Sequence, residues 1–316
     1  MRVALAVALV AVRIAWPASV PQEPPAPAPA ATAPAYSAAG LTVDVHSRAI
    51  RPGEVLAIDV VAPRAITAIT ATLGDRAIPV WKLSPRAWRG LAGLDVEQAP
   101  GPLPLTVTAT PKQGPPLSRT VTLDVQPAAF AERHLTVPPR FVDPPESERP
   151  RIEREAVRLR AIYDTVSTAH PPGLFVPPVP HPQTSPFGSR SVFNGQARDR
   201  HAGLDFASPA GAVIRAPATG RVVLVAPLYF TGNTVVLDHG YGVHSILAHM
   251  ERTLVREGQV VARGARLGTV GATGRATAPH LHWSVRLGAT RVDPAAVLDV
   301  LAAPTPASME SRAKTR

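Results

Sequence analysis

The chain has no cysteine among its 316 residues. Disulfides and thiolate metal sites are therefore excluded, and histidine and carboxylate remain as the strong ligands for an ion such as zinc. Lysine is almost as scarce: Lys82, Lys112 and Lys314 are the only three. A carrier protein that swings a lysine-attached group would need one on a hairpin tip, and the long stretch between Lys112 and Lys314 has none. Aromatic residues make up only 5% of the chain. No basic run with interleaved aromatics occurs, which removes the usual signature of a nucleic-acid binder. The net charge of +10 comes mostly from arginines scattered along the chain, a compositional bias rather than a patch built for a polyanion. The apolar run Val3–Val12 is too short to cross a bilayer, so no stable membrane span is expected in the mature form.

A 45% hydrophobic fraction is ample for a core, and 37 prolines in clusters point to extended connections. Residues 1–19 read as an export signal, with one early arginine, an apolar centre and cleavage near Ala15–Ser19. Residues 20–39, rich in alanine and proline, read as a disordered tether. Over 40–127 the runs LTVDV, EVLAIDVV, ITAITATL, AIPVWKL, PLTVTAT and TVTLDV are short and β-rich, with turn signals between them. They suggest an immunoglobulin-like β-sandwich, in which Trp81 and Trp88 serve as core or hairpin braces. Residues 128–184 read as a linker with one helix at about 151–166. Its apolar stripe is Ile152, Ala156, Leu159, Tyr163 and Val166, and Pro150 suits the first turn. His170 and His181 lie on a proline-rich strap and are expected to be non-ligands. Residues 185–300 read as a mostly antiparallel β-sheet domain, and 303–316 as a disordered basic tail. The fold class expected for the whole chain is mainly β.

Five polar residues in this last domain carry the chemistry. His201 and Asp205 are four apart in RDRHAGLDFASP, His280 and His282 flank one leucine in APHLHWSVR, and His249 lies between the two segments in HSILAHM. HLHWSV alternates as a strand does, so His280 and His282 project to one face and Leu281 and Trp283 to the other. Gly203 and Pro209 disfavour a helix around the first pair, which is placed on a loop running into a strand. A hydrolytic zinc takes three ligands of these types and leaves a position for water. Five such residues supply that set and leave two for proton transfer.

In the order H-x-x-x-D, A-H, H-x-H, with glycine-rich connections between, the segment from about 185 to 300 resembles the catalytic domain of the lysostaphin-type zinc metallo-endopeptidases, enzymes that cut peptide bonds in bacterial peptidoglycan. The resemblance implies one zinc ion on His201, Asp205 and His282, with His249 and His280 as catalytic histidines. It also implies a peptidoglycan peptide as substrate and an exported, periplasmic location. Leu247 and Ser284 depart from the family pattern at positions where aromatic and acidic residues are frequent, and are expected to bear on substrate fit. No H-E-x-x-H glutamate is present, so the histidine pair must handle the protons.

Two other readings compete. A non-catalytic regulator that binds and activates an amidase has no need for all five residues. A cupin also uses H-x-H but leaves H-x-x-x-D unexplained. Among the single residues, His46, His134 and His244 read as packing or surface, His239 as a turn residue and Asn233 as closing a turn. Asn194 and Arg198 are candidates for lining the groove, and Tyr229 and Phe230 for a groove wall or core.

Overall fold

The computed structural model describes residues 31–32, 36–38, 40–135 and 144–302. The expected signal at 1–19 and the tail at 303–316 lie outside the described residues. The chain is mainly β, with a β-rich N-terminal part, a helix, and an antiparallel C-terminal sheet.

The N-terminal part contains β1 (Leu41–Ser47), β2 (Val55–Val61), β3 (Ile66–Leu73), β4 (Val80–Lys82), β5 (Ala87–Gly93), β6 (Gly101–Pro111) and β7 (Leu117–Val125). One sheet runs β1-β2-β5-β4 and the other β7-β6-β3. Strict alternation in β1, β6 and β7 sends Val43, Val45, Leu105, Val107, Val121 and Leu123 into a shared core. The strands Ala31–Thr32 and Tyr36–Ala38 both pair with β1. Part of the stretch expected as a free tether is therefore edge-paired chain. Composition missed this because edge pairing draws on backbone groups rather than side chains.

β2 is buried on both faces. Leu56, Ile58 and Val60 belong to the sandwich core, while Val55 and Ala57 join the C-terminal core. One strand thus serves two cores, which explains its near-continuous apolar sequence. Trp81 takes part in the same junction: it is 5% exposed and stacks at 5.2 Å on Tyr241. Trp88 packs on the sandwich core.

The helix α1 runs Arg149–Tyr163 rather than 151–166, with Pro150 in its first turn. Leu159, Ile162 and Tyr163 pack on Leu224, Leu228, Val236 and Ile246. Asp164 caps its end and the chain turns away, leaving Val166 49% exposed. The stretch expected as a linker also contains a short strand. Glu132–Leu135 pairs in parallel with Arg190–Phe193, which in turn pairs with Gln196–Ala197.

The C-terminal sheet is built from β8 (Gln183–Ser185), β9 (Leu204–Phe206), β10 (Val213–Arg215), β11 (Gly220–Leu228), β12 (Gly232–Asp238), β13 (Val243–Thr253), β14 (Val260–Val261), β15 (Arg266–Val270), β16 (Leu281–Leu287) and β17 (Thr290–Val292). Its main order is β8-β9-β16-β13-β12-β11-β14, with β15 on β13, β10 on β15 and β17 on β16. A closing helix α2 (Pro294–Ala302) had no counterpart in the sequence reading. Its Ala296, Val297 and Val300 cluster with Val55 and Ala57 of β2. Among the described residues no helix is long and apolar enough to cross a membrane.

Candidate metal centre

Three neighbouring strands bring the site together. β9 and β13 both pair with β16, so His282 lies directly opposite Asp205 on one side and Ala248 on the other. Directly opposed residues share a face and lie about 5 Å apart at Cβ. Asp205 and His282 therefore meet through sheet register, and Ala248 leaves room for the ring. Leu281 and Trp283 point the other way and are fully buried, as the alternation requires. His201 precedes β9 on a loop held at both ends: its N–H donates to Ser189 O at 2.7 Å, and its carbonyl accepts from Gly188 N–H at 2.8 Å.

The three donor atoms form a small triangle. Asp205 Oδ1 lies 2.8 Å from His282 Nδ1 and 3.0 Å from His201 Nε2, and the two ring nitrogens are 3.0 Å apart. Two ligands on a tetrahedral zinc with bonds of about 2.0–2.1 Å are about 3.3 Å apart. The triangle is slightly tighter than that edge, so a small outward shift accommodates the ion. The His201 tautomer also suits a ligand: Nδ1–H donates to Pro186 O at 3.0 Å, leaving Nε2 as the lone-pair nitrogen aimed inwards. Among the described residues this is the one histidine–carboxylate group whose donor atoms converge in this way.

Charge follows from the same geometry. Burial alone would raise the Asp205 pKa, but the rings of His201 and His282 prevail and hold its carboxyl well below the usual range. Burial likewise depresses His282. For His201 the burial penalty is outweighed by Asp205, and its pKa is raised. A carboxylate kept ionised beside inward-facing nitrogens is a cation-binding arrangement.

His249 and His280 stand next to the triangle. Their ring centroids are 4.7 Å apart, and His249 is 6.1 Å from His282. His280 Nε2 is 3.9 Å from Asp205 Oδ1. Each donates Nδ1–H to a backbone carbonyl, His249 to Thr273 O at 2.8 Å and His280 to Ala278 O at 2.9 Å. In both rings Nε2 is left for chemistry. Burial pushes the His249 pKa down to about 4, so this ring is neutral at neutral pH.

The placement of His249 depends on a break in β13. Strict alternation would put it on the face of Leu247, which is fully buried in the core. Instead the β12–β13 register slips between Asn233↔Met250 and Val235↔Leu247. His249 takes a left-handed φ of 60°, and its N–H donates to Thr231 O at 2.8 Å. The bulge turns its ring onto the side of His282 and returns Met250 to the core.

Gly203 is equally specific. A Cβ there would lie 2.5 Å from Trp283 O and 2.8–2.9 Å from the His282 ring. Only glycine lets the His201 loop pass this close to His282.

The other candidates sort as follows. His46 bonds the buried Asp59 at 3.3 Å, His134 is exposed, and His244 is buried with an edge contact to Tyr163. His170 and His181 are not in the donor group. His239 lies in the turn between β12 and β13, as expected, and is fully buried there, bridging Thr219 O and Ser245 Oγ at 2.8 and 2.9 Å. Asn233 ties strands together through Met250 O at 3.0 Å. Leu247 and Ser284, expected to bear on substrate fit, are 0% and 6% exposed. Arg275, which the sequence reading passed over, stacks at 4.7 Å on Phe230.

Convergent His-Asp-His donors at the end of an antiparallel sheet, with two histidines alongside, define a site of the metallohydrolase class. Comparison with known proteins makes this specific. The model of Peptidase family M23 matches residues 199–294. A crystal structure from Pseudomonas aeruginosa assigned to peptidase M23 is 33% identical, covers 79% of this chain and 95% of its own, and superposes with a TM-score of 0.60. The chain belongs to peptidase family M23. The peptidoglycan DD-endopeptidase ShyB of Vibrio cholerae is 39% identical over 29% of this chain and 22% of its own length. The DD-carboxypeptidase/endopeptidase Mpg of Neisseria meningitidis is 37% identical over 39% of this chain and 27% of its own. The chain thus spans about a quarter of the length of these curated relatives.

Proposed function

We propose that the chain is a zinc-dependent endopeptidase that hydrolyses peptide bonds of bacterial peptidoglycan. The observation that carries this reading is the donor triangle of His201, Asp205 and His282 with His249 and His280 beside it. Family membership and the peptidoglycan activities named for ShyB and Mpg support it.

In this reading His201 Nε2, Asp205 Oδ1 and His282 Nδ1 hold the metal. A zinc ion there supplies a Lewis acid for the scissile carbonyl and a water whose pKa falls towards neutrality. The protein's part is proton handling and orientation. With Nδ1–H tied to Thr273 O and Ala278 O, the His249 and His280 rings cannot swing freely, and each presents Nε2. One takes the proton of the attacking water and the other gives a proton to the leaving amine. Positioned proton transfer of this kind contributes about 100-fold to 10,000-fold in rate. The reading also includes an export signal within residues 1–19 and a periplasmic location.

The test uses purified peptidoglycan, zinc analysis, and mass identification of released muropeptides. His282→Ala is expected to lose both zinc and cleavage. His249→Ala is expected to keep zinc and lose cleavage by at least about 100-fold. Cleavage retained in both variants would overturn the assignment.

A further inference from the structure

His249 sits in a strained backbone conformation and presents one ring nitrogen, and both depend on neighbours outside its own strand. A left-handed φ of 60° on a residue other than glycine persists only where the surroundings over-determine it. Which nitrogen of a neutral imidazole carries the proton is set by the hydrogen bond that the ring makes. The His249 backbone is tied on both sides: its N–H donates to Thr231 O at 2.8 Å, and its carbonyl accepts from Gly271 N–H at 3.0 Å. Its ring Nδ1–H donates to Thr273 O at 2.8 Å. Thr273 stands on the loop between β15 and His280, and a loop carbonyl orients a ring only as well as the loop is itself held.

The Thr273 hydroxyl ties that loop down. Its Oγ1 accepts from Asn233 N–H at 2.9 Å and donates to Met250 O at 2.9 Å. Asn233 Nδ2 donates to the same Met250 carbonyl at 3.0 Å. Asn233 and Met250 are partners across β12 and β13 at the register slip, and Met250 directly follows His249. One hydroxyl thus joins both strands of the bulge to the loop that grips the ring. The packing around it is close. A Cβ at Gly232 would run into the Thr273 backbone, and one at Gly274 would run into Gly232. Beyond Gly274, Arg275 N–H donates to Phe230 O at 2.8 Å and closes the loop against the β11–β12 turn. A valine at 273 would keep the volume but make neither bond, and Asn233 N–H would lose this acceptor.

We propose that Thr273 is a positioning residue for His249: its hydroxyl locks the bulge of β13 to the loop whose carbonyl holds the His249 Nδ1–H, and so keeps Nε2 free of its proton beside the donor triangle. The consequence for rate rests on the peptidase reading, whereas the consequence for the ring does not. An outer group of this kind acts through the residue it orients.

The experiment takes the full chain as wild type, Thr273→Val and Thr273→Ser. Nitrogen-15 NMR of the histidine rings, with the His249 signals assigned by their loss in His249→Ala, reports which nitrogen carries the proton, in zinc-loaded and zinc-free protein. Zinc affinity, melting temperature, and kcat and KM on a purified cross-linked muropeptide are measured alongside. In wild type the proton should be on Nδ1. In Thr273→Val a share of it should move to Nε2, and kcat should fall by about tenfold to a hundredfold, with KM and zinc affinity close to wild type. Thr273→Ser keeps the hydroxyl and should restore both the ring signal and kcat. A wild-type ring protonated on Nε2 would overturn the proposal even if Thr273→Val failed to fold. So would an unchanged ring signal in folded Thr273→Val, a loss that Thr273→Ser did not restore, or a fall in kcat matched by an equal fall in zinc affinity. A ring that shifts as expected, in a wild-type background that cleaves no muropeptide, would keep the positioning and overturn the peptidase.

Discussion

Gly203→Ala tests whether the donor triangle is held by close backbone approach. The new Cβ would sit 2.5 Å from Trp283 O, a backbone atom inside the β9–β16 pairing, and 2.8 Å from His282 Cε1. Ordinary carbon–carbon contact begins near about 3.5 Å. Either the His201 loop lifts or the His282 ring turns by most of an ångström, and both movements open the triangle. Overpacking of this kind costs about 1–3 kcal/mol of stability. Disturbing the groups that orient ligands costs about 10-fold to 100-fold in metal affinity. Zinc affinity, measured by competition with a chromophoric chelator, should fall by that factor. The zinc-free melting temperature should fall as well. Gly173→Ala is the control, because its Cβ would meet nothing within 4 Å. Zinc affinity within threefold of wild type and an unchanged melting temperature would refute the reasoning.

Arg89→Met should destabilise the sandwich by about 3–5 kcal/mol, because it strips Asp59, which is 0% exposed, of its paired 2.6 Å hydrogen bonds; urea unfolding with a midpoint near that of wild type would count against it. His239 supplies a pH dependence. Burial holds its folded pKa at about 4, while the unfolded value is about 6.5. As pH falls through this window the unfolded chain takes up a proton that the folded chain refuses, so stability drops. Denaturation of the zinc-free protein across the window should show the drop and His239→Gln should lessen it, whereas a flat wild-type profile contradicts the assignment. Phe130→Ala, remote from the metal, should lower zinc affinity by about tenfold, because Phe130 packs on Gly188 and Phe187 beside the carbonyl that receives the His201 side chain. Unchanged affinity in that variant would show that the His201 loop stands without the Phe130 contact.

What the sequence revealed of the site follows the reach of each interaction. His280 and His282 were legible because strand alternation is local. The meeting of Asp205 with His282 depends on the pairing of β9 with β16, which spacing alone does not encode. The face taken by His249 depends on the bulge in β13, and HSILAHM reads as an unbroken strand. Arg275 carried no signal, since the ring it stacks on, Phe230, is 45 positions away in the chain. The same limit applies to the fold. The sandwich strands alternate and were read, but Glu132–Leu135 is four residues long and gains its place by pairing with Arg190–Phe193. The helix α2 has nine residues, too few to announce itself, and is stabilised by packing on β2.

The way the sandwich is attached argues for positioning over occlusion. It meets the C-terminal sheet at the end of β16 away from His282. There Gly93 abuts Val292 and Thr290, and Asp95 accepts from Arg291 N–H at 2.8 Å. Arg48 bonds Asp293 at 2.6 Å. From His282 to Leu287 is five residues, about 17 Å of strand. A second contact reaches the other side of the site: Phe130 lies edge-on to Phe187 at 6.2 Å, Arg200 covers the Phe130 ring at 5.1 Å, and Glu97 bonds Arg190 at 3.1 Å. The sandwich, with Phe130 of the chain that leaves it, therefore grips both the strand that carries His282 and the loop that carries His201, while none of these contacts touches the five histidine and aspartate side chains. A module that covered the site would bury those side chains, yet His280, Asp205 and His201 keep 22%, 21% and 19% of their side-chain surface. With Val55, Ala57, Trp81 and Leu91 in the same apolar cluster as Trp283 and Val285, releasing the sandwich would open a core rather than a lid. These contacts fix the spacing of His201 and His282, which come from separate stretches of chain.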